Sequence, residues 1–257
     1  MKLLVVDVGN TTTEFGVFSD SELITRFRCI TKEKRTSDEL AVLISQMFEL
    51  NRLHFSDIGD CIISSVVPDA NYTLINTIMK YMDIDPLMVG PGIKTGISIK
   101  CDDPREVGAD RIVDAVAAFN KYGGPVIVLN FGTATRYDYV NEAGEFCAAI
   151  TSPGIQICAD ALWTNAAKLP KIEIEKPPSI LAKNTVSSMQ AGLVYAQIGQ
   201  TEYIIRQIRD ETGTEAKTVA SGGYANIILP HTDVIDVYDP LLSLEGLRIL
   251  YEKNKQH

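Results

Sequence analysis

The sequence is short of basic charge. Its 24 Lys and Arg stand against 33 Asp and Glu, for a formal net charge of −9. Such a chain is a poor candidate for binding nucleic acid or an anionic membrane by bulk electrostatics. A nucleotide whose charge is screened by Mg²⁺ meets no such obstacle. Paired cysteines are missing as well. Cys29, Cys61, Cys101, Cys147 and Cys158 are odd in number, and no two have C-x-x-C spacing. This argues against a disulfide framework and for a reducing cytoplasm. The histidines His54, His231 and His257 are isolated and form no zinc-ligand cluster. No apolar run approaches the length of a membrane span. No signal peptide is expected, because the apolar start at Leu3 meets an acidic residue by Asp7. There is no G-x-x-x-x-G-K-[ST] loop and no G-x-G-x-x-G. Gly90-Pro91-Gly92 with Gly96 has the wrong spacing and reads as a turn. Low-complexity segments and long linkers are absent too. What remains is a chain of 257 residues, 46% hydrophobic and 22% charged, long enough for one large domain or two linked ones.

Against these absences stands a repeat. Val5-Val6-Asp7-Val8-Gly9-Asn10-Thr11-Thr12-Thr13 is followed by Phe15-Gly16-Val17-Phe18. Val128-Leu129-Asn130-Phe131-Gly132-Thr133-Ala134-Thr135-Arg136 is followed by Tyr137-Asp138-Tyr139-Val140. Each copy reads as a buried strand ending in Asp or Asn, then a glycine with a cluster of hydroxyls, then a second strand and a polar turn. A glycine at such a tip lets the backbone approach a phosphate. Successive N–H groups and Thr hydroxyls donate to its oxygens. An acidic residue at the strand end, here Asp7, can hold hydrated Mg²⁺. Two ordinary hairpins are the plainer alternative, since Asn and Gly are common turn residues. Two copies in register favour nucleotide binding.

The remaining pattern fits a duplicated α/β fold. Strands are expected at 3–7, 14–19 and 23–30. Thr36-Ser37-Asp38-Glu39 is a capping box before a helix burying Leu40, Leu43, Ile44, Met47 and Phe48. A strand at 61–67, a helix with Leu74, Ile75, Ile78, Met79 and Met82, and a strand at 87–89 follow. This β-β-β-α-β-α-β order is what half of an actin-like (ribonuclease H-like) fold requires. Residues 96–107 read as a loop or edge strand, and a helix runs from Gly108 to Tyr122. The second half restarts at Pro125. It is expected to carry helices from Gly154 to about Leu169 and from Val186 to Arg209, a strand at 217–220 and a last helix at 244–254. The division expected is an N-terminal lobe, 1–114, and a C-terminal lobe, 115–257, around a central nucleotide cleft.

Asp110 and Arg111 begin a helix. Simple capping explains them, since Asp suits the helix dipole. A functional reading makes Asp110 a general base and Arg111 a clamp on a carboxylate. Ser221-Gly222-Gly223 is either a helix-entry turn or a seat for a nucleoside. Asn184-Thr185 reads as an N-cap.

Asp7-Val8-Gly9-Asn10-Thr11, Gly108-Ala109-Asp110-Arg111, Asn130-Phe131-Gly132-Thr133-Ala134-Thr135, Pro153-Gly154, Lys168-Leu169-Pro170, Asn184-Thr185 and Ser221-Gly222-Gly223 occur in this order. The closing run is Asp239-Pro240-Leu241-Leu242-Ser243-Leu244-Glu245-Gly246-Leu247. Together they resemble the type III pantothenate kinase family across essentially the whole chain. The resemblance implies an actin-like fold and ATP-dependent phosphorylation of pantothenate, the first step of coenzyme A synthesis. It implies a cytoplasmic homodimer that uses Mg²⁺ and a monovalent cation, K⁺ or NH₄⁺. Carried over by position, Asp7, Val8, Gly9, Asn10, Thr11, Thr12, Thr13, Glu14 and Thr133 bind ATP, with Asp7 reaching Mg²⁺ through water. Asp110 accepts the proton of the pantothenate hydroxyl. Gly108, Ala109, Asp110, Arg111, Cys101 and Thr185 line the pantothenate pocket, and Asn130 occupies the monovalent-cation position.

Four departures from the family pattern cluster here. Asn130 stands where Asp is usual, keeping an oxygen but losing the charge. A charge-assisted contact is worth about 1.5–3 kcal/mol, so cation affinity is expected to fall roughly ten- to hundredfold. Arg136 replaces a Thr, and its guanidinium either substitutes for the cation's charge or obstructs the site. Ala148-Ala149 replaces a glycine pair, and Cys101 a Tyr. Two further readings therefore stand beside the working kinase. One is a non-catalytic homologue acting as a subunit or regulator with an intact paralogue. The other is an actin-like kinase for a different small acid or alcohol.

Overall fold

The run Leu3-Leu4-Val5-Val6 has the unbroken apolar character of a strand buried on both faces. In the structure, a computed structural model describing residues 1–255, it forms β1 (Lys2–Val8) at the centre of a five-stranded sheet. His257 lies outside the described residues. β2 (Thr12–Ser19) and β3 (Glu22–Ile30) run antiparallel beside it. Parallel neighbours need crossover helices. α1 (Ser37–Leu50) leads to β4 (Ile58–Ser65), and α2 (Pro68–Met82) leads to β5 (Leu87–Met88). The order is β3-β2-β1-β4-β5. α1 opens on the expected capping box: Thr36 Oγ1 accepts from the Glu39 N–H, and the Glu39 carboxylate accepts from the Thr36 N–H at 2.7 Å. Leu40, Ile44 and Phe48 of α1 and Leu74, Ile78 and Met82 of α2 pack on the sheet face that carries Leu4, Val6 and Val8. Met79, expected in that stripe, is exposed. It lies one residue past Ile78, about 100° around the helix from the buried face.

The chain continues through a short edge strand β6 (Ser98–Ile99) and α3 (Ala109–Tyr122). Next come β7 (Val126–Phe131), β8 (Ala134–Val140) and β9 (Glu145–Pro153), then α4 (Ile155–Asn165) and α5 (Thr185–Thr212). β10 (Lys217–Ser221), α6 (Ala225–Ile228), β11 (Val237–Tyr238) and α7 (Leu242–Asn254) complete it. The second sheet has the order β11-β10-β7-β8-β9-β6. Read from the other end, β9-β8-β7-β10-β11 repeats the first sheet strand for strand, with β6 added at its edge. The duplicated actin-like arrangement expected from the repeat is therefore present. Ile127, Leu129 and Phe131 of β7 pack with Ile155 of α4 and Val194 and Ile198 of α5 in the second core.

α4 stops four residues before the expected Leu169. Asn165 Nδ2 donates to Ala161 O at 2.8 Å, occupying a last-turn carbonyl, and Ala166 is already extended. α6 and β11 are too short to leave a periodic signature and were not expected. Among the described residues, no helix is long and apolar enough to cross a membrane.

Contacts divide the chain into two units. The first holds Met1–Gly96, Asp102–Ala117 and the described chain from Leu241 on. The second holds Ile97–Cys101 and Ala118–Pro240. α7 thus packs in the first unit, where Leu242, Leu244, Leu247 and Leu250 are buried. A Cβ on Gly246 would stand 2.3 Å from Val113 O, so only glycine admits this approach to α3.

Candidate active site

Strand register determines what stands beside Asp7. Asp7 pairs with Ser64 of β4 and Glu14 of β2, and Glu14 pairs with Arg28 of β3. Cross-strand partners share a face. Ser64, Asp7, Glu14 and Arg28 therefore form one row on the face away from α1 and α2. Ser64 is fully buried, and its Oγ has no hydrogen-bond partner among the described residues. Burial holds the Glu14 carboxyl above its ordinary value, against the opposing pull of Arg28 and Arg26. Arg26 Nη1 lies 3.5 Å from Glu14 Oε1.

The turn after β1 is short and braced. Gly9 N donates to Thr12 O at 3.1 Å. Thr31 N donates to Thr11 O at 3.0 Å, and the hydroxyls of Thr13 and Thr31 are 2.9 Å apart. Asn10, Thr11 and Thr12 are exposed at the tip. This is a rigid loop of amides and hydroxyls next to a carboxylate, the chemistry of a phosphate grip.

Asp110 sits in the first turn of α3, where the helix dipole favours a carboxylate. Its Oδ1 accepts from Arg111 N at 2.9 Å. A Cβ on Gly108 would lie 2.7 Å from that oxygen and 3.7 Å from Val66 Cγ1. Val66 N in turn donates to Val8 O at 3.1 Å. Through Val66 the first unit brings the Gly108–Arg111 segment to the same end of the sheet as the Asp7–Glu14 turn. A cavity of about 560 Å³ lies on the other face of this hairpin, against Val8, Thr13, Phe15 and Cys29, with Lys32 and Arg35 also lining it. Asp7 and Glu14 do not line it.

The second unit repeats the row with different chemistry. Ser221, Asn130, Arg136 and Thr151 stand in register across β10, β7, β8 and β9. Asn130 Nδ2 donates to Ser221 Oγ at 3.1 Å, and Ser221 Oγ donates to Leu129 O at 3.2 Å. Arg136 is 9% exposed. Thr133 is exposed at the hairpin tip. Gly154 N donates to Thr133 O at 3.2 Å, and a Cβ on Gly154 would meet that oxygen at 2.3 Å. Gly222 has φ +97°, with Phe131 N only 2.6 Å from where a Cβ would stand. Both Pro153-Gly154 and Ser221-Gly222-Gly223 are therefore close backbone approaches to the second hairpin. Ala148 packs against the second core, so its methyl is accommodated. Cys101 is half-buried two residues past β6. Thr185, in the first turn of α5, lines an open cavity of about 550 Å³ with Leu162, Lys183, Asn184, Ser188 and Met189. Asn184 caps that helix by accepting from Ser187 N at 2.9 Å.

Sequence reasoning left Ser64 unassigned. The signal was there, since Ile62-Ile63-Ser64 and Val219-Ala220-Ser221 both end an apolar strand in serine.

Comparison with known proteins agrees with the two-sheet architecture. A protein from Sinorhizobium meliloti described as a 2-dehydro-3-deoxygalactonokinase superposes with a TM-score of 0.65 at 10% identity, covering 99% of this chain and 100% of that one. The activator of 2-hydroxyisocaproyl-CoA dehydratase from Clostridium difficile, solved with bound ADPNP, gives 0.54 at 11% identity, covering 99% and 95%. At such identities the likeness concerns fold alone. In sequence, the chain is 53% identical over 255 residues to a type III pantothenate kinase of Agathobacter rectalis, covering 99% of this chain and 98% of the relative. The family model for type III pantothenate kinase matches residues 3–207. With its motifs in order on a duplicated pair of sheets, the chain belongs to the type III pantothenate kinase family.

Proposed function

We propose that this chain transfers the γ-phosphate of ATP to the primary hydroxyl of pantothenate, giving 4′-phosphopantothenate for coenzyme A synthesis. The observation that carries this reading is the meeting of the Asp7–Glu14 turn and the Asp110 helix start at one end of the first sheet. In this reading Gly9, Asn10, Thr11, Thr12 and Thr13 grip phosphate oxygens with amides and hydroxyls, and the family resemblance adds Thr133 to the ATP-binding residues. Asp7 would hold Mg²⁺ through water, and the half-buried carboxylate pair it forms with Glu14 fits a hard divalent cation. When bound, that ion neutralises charge on the phosphates. Asp110 takes the hydroxyl proton as the oxygen attacks phosphorus in line and ADP leaves. Gly108, Ala109 and Arg111 hold pantothenate, with Arg111 on its carboxylate. Thr185 and Cys101 are assigned to pantothenate on the family resemblance alone. The 53% identity over nearly the whole chain favours a working enzyme over the regulatory-subunit reading.

Asp110→Asn is the test. Loss of a general base costs about 10²–10⁴ in rate. The variant is expected to fold, bind nucleotide and lose turnover by that factor. Turnover equal to the parent's removes Asp110 from its role.

A homodimer is part of the proposal. Ile157, Leu162 and Trp163 on α4, Ile180 and Leu181 in the next connection and Val186 on α5 are all exposed large apolar side chains in the second unit. Apolar surface of this extent favours a partner.

A further inference from the structure

The monovalent cation that the family resemblance implies is not matched by the residues present. The two rows show why. In the first unit the row reads Ser64, Asp7, Glu14, Arg28, with two carboxylates side by side. At the equivalent places the second reads Ser221, Asn130, Arg136, Thr151, with no carboxylate at all. An alkali cation is held by oxygens bearing full or partial negative charge. Here the central place carries an amide and its cross-strand neighbour a guanidinium.

The amide is also oriented. The single hydroxyl proton of Ser221 goes to Leu129 O, so Ser221 Oγ must accept, and Asn130 must present its NH₂. Asn130 Oδ1 then faces the hairpin turn, 2.9 Å from where a Cβ on Gly132 would stand. Arg136 is nine-tenths buried in register with Asn130, and directly opposed residues have Cα atoms only about 4.5–5.5 Å apart. Asp138, two residues along β8 and so on the same face, is 2% exposed. A free cation placed here would face a fixed like charge.

We infer that Arg136 takes the place of the monovalent cation, so that this kinase works without K⁺ or NH₄⁺. Arg136 is a positioning residue: its fixed charge holds the second hairpin as the cation would, with no dependence on ion concentration. The inference rests on the kinase reading above.

The test measures pantothenate phosphorylation by the purified full chain at constant ionic strength in chloride salts of choline, Na⁺, K⁺ and NH₄⁺. Calorimetric affinity for a nonhydrolysable ATP analogue is measured in the same salts. The expected result is the same turnover and affinity in choline as in K⁺. The double variant Asn130→Asp/Arg136→Thr is expected to acquire a K⁺ requirement of about ten- to hundredfold, the weight of one charge-assisted contact. A saturable rise of turnover or nucleotide affinity with K⁺ in the parent chain overturns the inference, whatever the variant does. Nucleotide binding that is indifferent to K⁺, with no phosphorylation of pantothenate in any salt, sinks the kinase reading and leaves Arg136's role standing.

Discussion

Glu14 is a carboxylate made to stand beside another carboxylate. Burial raises its proton affinity above the ordinary value of 4.5, and Arg28 and Arg26 only partly offset this. The sign of the consequence is definite. The unfolded side chain gives up its proton near 4.5, and the folded one only at higher pH. Between those two points the native state holds the extra proton, so stability falls as pH rises through the window. Glu14→Gln removes the penalty. Its melting temperature is expected to exceed the parent's at neutral pH and to converge with it in acid. A difference that does not change with pH contradicts this account. At this scale the sequence showed the turn, its hydroxyls and its terminal acids, because they are contiguous. It did not show the rows. Ser64 and Asp7 meet only through register, and a slip of one residue would turn every side chain to the other face.

Among the elements, the legible ones carried their own boundaries. Thr36 and Glu39 announce α1 by a local exchange of hydrogen bonds, and Pro68 marks the first turn of α2. The end of α4 was hidden because a single side chain, Asn165, decides it after the apolar pattern has run on. β6 and β11, two residues each, exist only as partners of longer strands. α4 and the connection to α5 also carry the exposed apolar surface. Leu181, 78% exposed, is the most exposed of these side chains and so the place to spoil the surface. Leu181→Asp is expected to move the sedimentation coefficient from dimer to monomer without lowering the melting temperature of the subunit. A parent chain that sediments as a monomer ends the homodimer proposal.

At the scale of the whole molecule, the two repeats are not two consecutive segments. The expected division at 114 and 115 follows the repeat in the sequence, whereas contacts assign α7 to the first unit. No local signal revealed this, because an amphipathic helix does not state which sheet it will cover. Leu242, Leu244, Leu247 and Leu250 are each 1% exposed or less. Burial of one such side chain is worth about 1.5–3 kcal/mol. Four together match the entire stability of about 5–15 kcal/mol typical of a native protein. A chain ending at Pro240 is therefore expected to lack a folded first unit. Limited proteolysis would then cleave within residues 1–96 while sparing the second sheet. Resistance of both regions contradicts the weight given to α7.

That helix has a consequence for how the protein is made. A ribosome synthesises β1 to β5 first, yet the piece that covers them emerges after the entire second sheet. The earliest strands must wait, with Leu3, Val5 and Ile62 unsheltered, for as long as translation of the intervening residues takes. Nascent chains of this protein are thus expected to lean on chaperones until α7 has emerged.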